Sequence, residues 1–144
     1  MTETPYSLKD WLREHPRDDG AFSQSAAGVA RRVLEGEDFR LAIRELLDEF
    51  GLLVNDGQRR RALVERPDPT GDPRQDAYLG ALAEHLAALH ELDRPVWTIE
   101  PARFLDRFWF VSDVAGFRAL AIAQSPAAFR RRGIFIAAAA LQRV

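Results

Sequence analysis

Asp72-Pro73-Arg74-Gln75-Asp76-Ala77-Tyr78-Leu79-Gly80-Ala81-Leu82-Ala83-Glu84-His85-Leu86-Ala87-Ala88-Leu89-His90-Glu91 decides the fold class of this chain. Aspartate accepts hydrogen bonds from the orphan N–H groups at a helix start, and proline at the first helical position gives up a donor that has no partner there. The spacing predicts a helix from Pro73 to Glu91, with Ala77, Tyr78, Ala81, Leu82, His85, Leu86 and Leu89 along one side. Its alanine content favours close contact between helices, which marks it as the central helix.

The same punctuation extends in both directions. Upstream, Arg66-Pro67-Asp68-Pro69-Thr70-Gly71 is a break, and Asn55-Asp56-Gly57 is a turn able to cap a helix over Gln58–Glu65. Phe39, Ile43, Leu46, Leu47 and Phe50 recur at three and four, the spacing of a buried stripe, so Phe39–Phe50 reads as a helix ended by Gly51. Ala21–Glu35 reads as another, capped at its end by Gly36. Ser7 with Asp10 opens a first helix, which stops before His15-Pro16 and a turn at Arg17–Gly20.

Downstream of Pro95 the character changes to aromatic-rich text: Trp97, Phe104, Phe108, Trp109, Phe110 and Phe117. Thr98 reads as the cap of a short helix entered at Pro101. Phe108–Val111 suits an extended or buried loop, and Asp113 suits the start of a helix through Phe117, Leu120 and Ala121. Ser125-Pro126 repeats the cap-plus-proline device before Ala127–Arg132, and Gly133 closes that helix. Ile134-Phe135-Ile136 is apolar and largely β-branched, and Ala137–Leu141 can turn helical. Strand signals are few. The expectation is an all-α fold: a compact multi-helix single domain with short connecting loops.

At 144 residues with 47% hydrophobic content, such a domain needs no disulfide or metal staple, and the chain has no cysteine. The formal charge is −2, so no bulk basic field draws it to nucleic acid. Lys9 is the only lysine; the other basic residues are arginine, a bias that fits first a GC-rich coding sequence and second an interface, where the planar fork binds carboxylates. Met1–Pro16 lacks the apolar core of a signal peptide, and no apolar stretch is long enough to span a bilayer, so a cytoplasmic location and no membrane partner are expected.

Catalytic patterns are missing. His85 and His90 lie about 140° apart around a helix and share no face. Ser125 lacks the Gly-x-Ser-x-Gly setting of a nucleophile elbow, and the glycines form no phosphate loop or dinucleotide fingerprint. Glu45, Asp48 and Glu49 read as a solvated helix face. The expectation is a protein that is not an enzyme and uses no cofactor or metal. Two arginine runs remain, Arg59–Arg61 and Arg130–Arg132; the second sits where cations complement a helix C-terminus.

Three blocks carry a family resemblance. Phe39–Phe50 is the first. Pro69–Arg74 with Ala77-Tyr78-Leu79 and Leu82–Leu86 is the second. Pro95-Val96-Trp97, Arg103–Asp106, Trp109-Phe110 and Ser125–Ile136 form the third. Together they resemble a family of small helical bacterial proteins, common in actinobacteria and often encoded beside a minimal nucleotidyltransferase. The resemblance covers residues 37–144; residues 1–36 fall outside it, as an N-terminal helical extension. It implies an antitoxin-like role, in which the chain binds a nucleotidyltransferase toxin and neutralises it by direct contact. The expected working surface is the C-terminal half, with Trp97, Arg103, Trp109, Arg130, Arg131 and Arg132 as partner-binding candidates. Arginine forks suit the carboxylates of a metal- and nucleotide-binding cleft, and an indole suits a desolvated anchor. The alternative is a helical DNA-binding transcriptional regulator using residues 7–35, where Arg31-Arg32 face a surrounding set of acidic residues.

Overall fold

The computed structural model describes residues 24–141, so the helix expected at Ser7–His15 and the turn after it lie outside the described residues. Helix α1 (Ala26–Leu34) starts where the Ser25 hydroxyl accepts from the Gly28 N–H at 2.9 Å. It ends before Gly36, whose φ of 103° favours glycine. Helix α2 (Phe39–Phe50) occupies the expected span; Asp38 accepts from the Leu41 N–H at 2.9 Å, and Ala42, Ile43, Leu46, Leu47 and Phe50 are buried. Helix α3 (Asp56–Val64) is capped by Asn55, which accepts from the Gln58 N–H at 2.8 Å.

Helix α4 (Pro73–Leu89) is capped by Asp72, which accepts from the Arg74 N–H at 2.9 Å. Its burial is not confined to the side expected from the apolar stripe. Leu79, Gly80, Ala83, Glu84 and Ala87 are buried too, while Leu89 is exposed. The helix stops short of Glu91 because the Leu92 N–H folds back onto the Ala87 carbonyl at 2.8 Å, with Glu91 left-handed at φ 54°.

Beyond Pro95 the chain is mostly tight turn. The 3₁₀ turns Val96–Ile99 and Pro101–Arg103 both pack on α4. Thr98 is not the expected cap: its hydroxyl donates to the Pro95 carbonyl at 2.7 Å inside the first turn. The 3₁₀ turn Ala115–Phe117 leads into α5 (Arg118–Gln124) without a side-chain cap from Asp113. Ser125 does not cap α6 (Ala127–Arg130) either. Its hydroxyl accepts from the Ile136 N–H at 2.9 Å and reaches the Ala121 carbonyl, tying the end of α5 to a later segment. Gly133, at φ 78°, closes α6.

The expected extended pieces become two short strands, β1 (Trp109–Phe110) and β2 (Ile134–Phe135). They pair in parallel, with Trp109 opposite Ile134 and Phe110 opposite Phe135. So small a pair leaves the domain all-α. A final 3₁₀ turn, Ala138–Leu141, follows. One core joins both halves: Leu46, Phe50 and Leu82 cluster with Trp97, Phe129, Ile134 and Ile136, and Ala26, Val29 and Ala30 of α1 belong to it. Among the described residues, no helix is long and apolar enough to cross a membrane.

Candidate functional site

Asp76, Gly80 and Glu84 are spaced four apart on α4 and so form one stripe on an otherwise alanine- and leucine-rich helix. All three are buried. Gly80 is the reason two arginine side chains can approach the helix. A Cβ built there would lie 3.0 Å from the Arg103 Cβ and 3.3 Å from the Arg132 Nε.

Arg103 lies over the first part of the stripe. Its guanidinium donates to the Pro67 carbonyl at 2.8 Å and to the Asp76 carbonyl at 3.3 Å, and it sits 4.9 Å from the centre of the Trp97 ring. The Trp97 indole N–H in turn donates to the Leu63 carbonyl at 2.9 Å. Asp76 itself accepts from the Thr70 N–H at 2.9 Å and hydroxyl at 3.1 Å, so the proline-rich break upstream of α4 is fastened to the same stripe.

Arg132 lies over the second part. It donates to Glu84 Oε2 at 2.6 Å, to the Ala128 carbonyl at 2.8 Å and to the Thr98 carbonyl at 2.7 Å, and its guanidinium stacks 4.6 Å from the Phe104 ring centre. Its Nε is buried without an acceptor, beside Gly80. Glu84 Oε1 receives Arg94 at 3.0 Å and also Arg131. Burial pushes the Glu84 carboxyl up, but the hydrogen bonds from Arg132, Arg131 and Arg94 outweigh it and bring its pKa down to about 2. Desolvation lowers the pKa of Arg132 and of Arg103, opposed in Arg132 by Glu84 and in Arg103 by Asp76 and Glu100. Both remain cations at any ordinary pH, because arginine starts so high.

The structure therefore divides the six expected partner-binding residues. Trp97, Arg103 and Arg132 come together, but in the interior, at 4%, 2% and 1% exposure. A partner docking on the folded chain does not reach them. The physical reason is the Gly80 gap together with the Glu84 counter-charge, which make an interior place for side chains that otherwise stay at the surface. Arg131 sits at the rim of this cluster with its side chain about half exposed. Arg130 is exposed and donates to the Ile122 carbonyl at 2.7 Å, complementing the end of α5, not of its own helix. Trp109 is elsewhere: half-buried, edge-on to Tyr78 and covered by the Arg74 guanidinium at 5.4 Å.

What pattern reading missed was Glu84. The signal was present: a carboxylate four residues after a glycine and eight after an aspartate, in a helix too apolar to be solvated on that face. The cluster holds the turns at 94–104 and the end of α6 against α4. That is a structural task, and it leaves the reactive surface to be sought elsewhere.

The open surface lies on the C-terminal segment. Val114, Phe117, Leu120 and Ile122 are all exposed, and Phe108 is 76% exposed, edge-on to Phe135 at 5.4 Å. Phe110, Phe117, Leu120 and Phe135 line a mainly apolar groove of about 530 Å³. Phe110 stacks on Phe135 at 5.0 Å, and Arg118 covers Phe110 at 5.4 Å. Among the described residues, no group of three or more His, Asp or Glu side chains is placed to hold a metal ion.

Fold and surface together define a small all-α domain, locked internally by a buried arginine–glutamate cluster and carrying an open apolar face. No family model, curated protein or solved structure matches the chain.

Proposed function

We propose that this chain is a binding protein, not an enzyme, which neutralises a partner nucleotidyltransferase by direct protein–protein contact, as an antitoxin does. The observation that supports a protein partner is the apolar face of residues 114–122. Val114, Phe117, Leu120 and Ile122 stand exposed within one short segment, and Phe108 stands out beside the β1–β2 pair. Covering such half-exposed side chains is worth about 1 kcal/mol each, and apolar exposure concentrated on one segment is the signature of a surface another protein covers. Arg118, over Phe110, and Arg130, at the end of α5, supply a charged rim. Of the residues expected to contact the partner, Trp109, Arg130 and Arg131 remain reachable.

The identity of the partner rests on the resemblance of residues 37–144. A nucleotidyltransferase holds metal and triphosphate through carboxylates, and an arginine rim matches a cleft of that charge. The test is co-expression with the protein encoded by the neighbouring gene, followed by pull-down and a growth assay. The expected result is a complex and rescue of growth, both lost in a Phe117→Asp, Leu120→Asp variant that keeps its helical circular dichroism. No complex and no rescue would refute the antitoxin reading; a complex unaffected by the double variant would refute the apolar face as its site.

A further inference from the structure

A second groove, of about 620 Å³, opens between the N-terminal turns of α2 and α4 and the β1 strand. Arg40, Arg44 and Arg74 reach it from those two helices, and all three are exposed. None of them forms an ion pair among the described residues. By contrast, Arg31, Arg32, Arg59, Arg66, Arg94 and Arg131 are each paired with a carboxylate. Arg40 makes only a long 3.5 Å contact to the Val111 carbonyl, and Arg74 rests on the Trp109 ring.

The carboxylates at the groove offset this charge only in part. Asp38 and Asp72 line it, but each is bonded to an N–H of the helix it caps, at 2.9 Å in both cases, so each faces the positive end of α2 or α4. Asp113 is the one lining carboxylate outside such a bond. Three guanidinium forks thus share the groove with a single uncommitted acid.

The floor is aromatic and has unused polar groups. Tyr78 is more than nine-tenths buried yet lines the groove, and its hydroxyl has no hydrogen-bond partner among the described residues. The half-buried Gln75 amide beside it also has none. The Tyr78 hydroxyl and the Gln75 amide both open onto the groove, where they are free to bond whatever occupies it. Trp109 offers a flat face whose present cover, the Arg74 guanidinium, sits there in a cation–π contact with no ion pair among the described residues.

We propose that this groove binds a small ligand that joins a planar ring to phosphate, a nucleotide in chemical class. The ring stacks on Trp109, with its edge at Gln75 and Tyr78, and the phosphates lie across Arg40, Arg44 and the displaced Arg74. The volume falls in the range of about 300–1,000 Å³ typical of small-molecule sites. Bidentate arginine is the usual partner of phosphate. The chain's overall charge of −2 disfavours a long polyanion, so a free nucleotide is favoured over a nucleic-acid strand. This inference is independent of the protein-partner reading.

The test is calorimetric titration of the full chain with ADP, ATP, adenosine, inorganic pyrophosphate and a single-stranded decanucleotide. ADP or ATP is expected to bind at least about tenfold more tightly than either adenosine or pyrophosphate, because ring and phosphate contacts act together. Arg44→Ala and Arg74→Ala are each expected to weaken it by about tenfold. Arg74→Lys, which keeps the charge and loses the fork, should give an intermediate loss, and Arg60→Ala on α3 should give none. Arg44, Arg60 and Arg74 are all exposed, and retained helical circular dichroism confirms that the variants fold. No heat from ADP or ATP at millimolar concentration overturns the proposal, as does binding that Arg44→Ala and Arg74→Ala leave unchanged. Pyrophosphate binding as tightly as ADP removes the ring from the site, and tighter binding of the decanucleotide assigns the groove to nucleic acid instead.

Discussion

Replacing Glu84 with glutamine removes one charge and almost no volume, so it isolates the electrostatics of the buried cluster. The Glu84 side chain is 8% exposed and that of Arg132 is fully buried. Breaking a buried pair by neutralising one partner costs about 3–5 kcal/mol, because the other charge stays in the interior uncompensated. The contacts from Arg94 and Arg131 add little, since both side chains are about half exposed and surface pairs contribute about 0–1 kcal/mol. The depressed carboxyl pKa of Glu84 points the same way. The Glu84 pKa falls from the ordinary 4.5 to about 2, and at 1.36 kcal/mol per unit that depression corresponds to about 3 kcal/mol of stability. Its sign is fixed: the folded value lies below the unfolded one, so the contribution is complete above the unfolded pKa and disappears as pH falls through the folded one. Urea denaturation followed by circular dichroism should therefore show Glu84→Gln about 3 kcal/mol less stable than the parent at pH 7, a large share of the roughly 5–15 kcal/mol of a whole domain. The gap should narrow between about pH 5 and pH 2 as the parent loses the same contribution. A second substitution, Arg132→Met, should return part of the loss, because an apolar side chain needs no counter-charge. The reasoning is refuted if Glu84→Gln stays within about 0.5 kcal/mol of the parent at pH 7, or if both proteins lose equal stability in acid.

The neighbouring positions give further expectations. Gly80→Ala places a methyl group 3.0 Å from the Arg103 Cβ, which is fixed to a backbone turn and cannot swing away, so thermal unfolding should show a net loss of about 1–2 kcal/mol despite the better helix propensity of alanine. Arginine deletion should split the 130–132 run: Arg132→Ala loses several kcal/mol, whereas Arg130→Ala and Arg131→Ala, both exposed, lose about 1 kcal/mol or less in the same denaturation assay. Glu91→Gly should raise the unfolding free energy by about 0.5–1 kcal/mol in the same assay, because Glu91 holds a left-handed φ of 54° after α4 where glycine carries no Cβ penalty.

Pattern alone reached the helices that local rules govern. Asn55 and Asp72 cap α3 and α4 as expected, and the three-and-four spacing from Phe39 to Phe50 is that of a helix with one buried face, whose cap at Asp38 the sequence reading did not name. Capping is local, acting between residues two or three apart, so a sequence can display it. The same logic misled at Thr98 and Ser125, where the expected caps found other partners. The Ser125 hydroxyl meets Ile136, eleven residues away, and nothing in the local text announces that contact.

The sequence by itself determined that the chain is all-α, that α4 is its centre, and that arginine and aromatic side chains crowd the C-terminal half. Only tertiary structure decided which of those side chains face outward. Arg130, Arg131 and Arg132 are adjacent in the sequence, yet Arg130 reaches the end of α5, Arg131 lies at a rim, and Arg132 is interior. Only Arg130 belongs to α6; Arg131 and Arg132 lie in the tight turn after it, which carries successive side chains to different surroundings. Burying one of them required a counter-charge 48 residues away at Glu84 and a glycine beneath it at Gly80, and both conditions exist only once α6 has docked on α4.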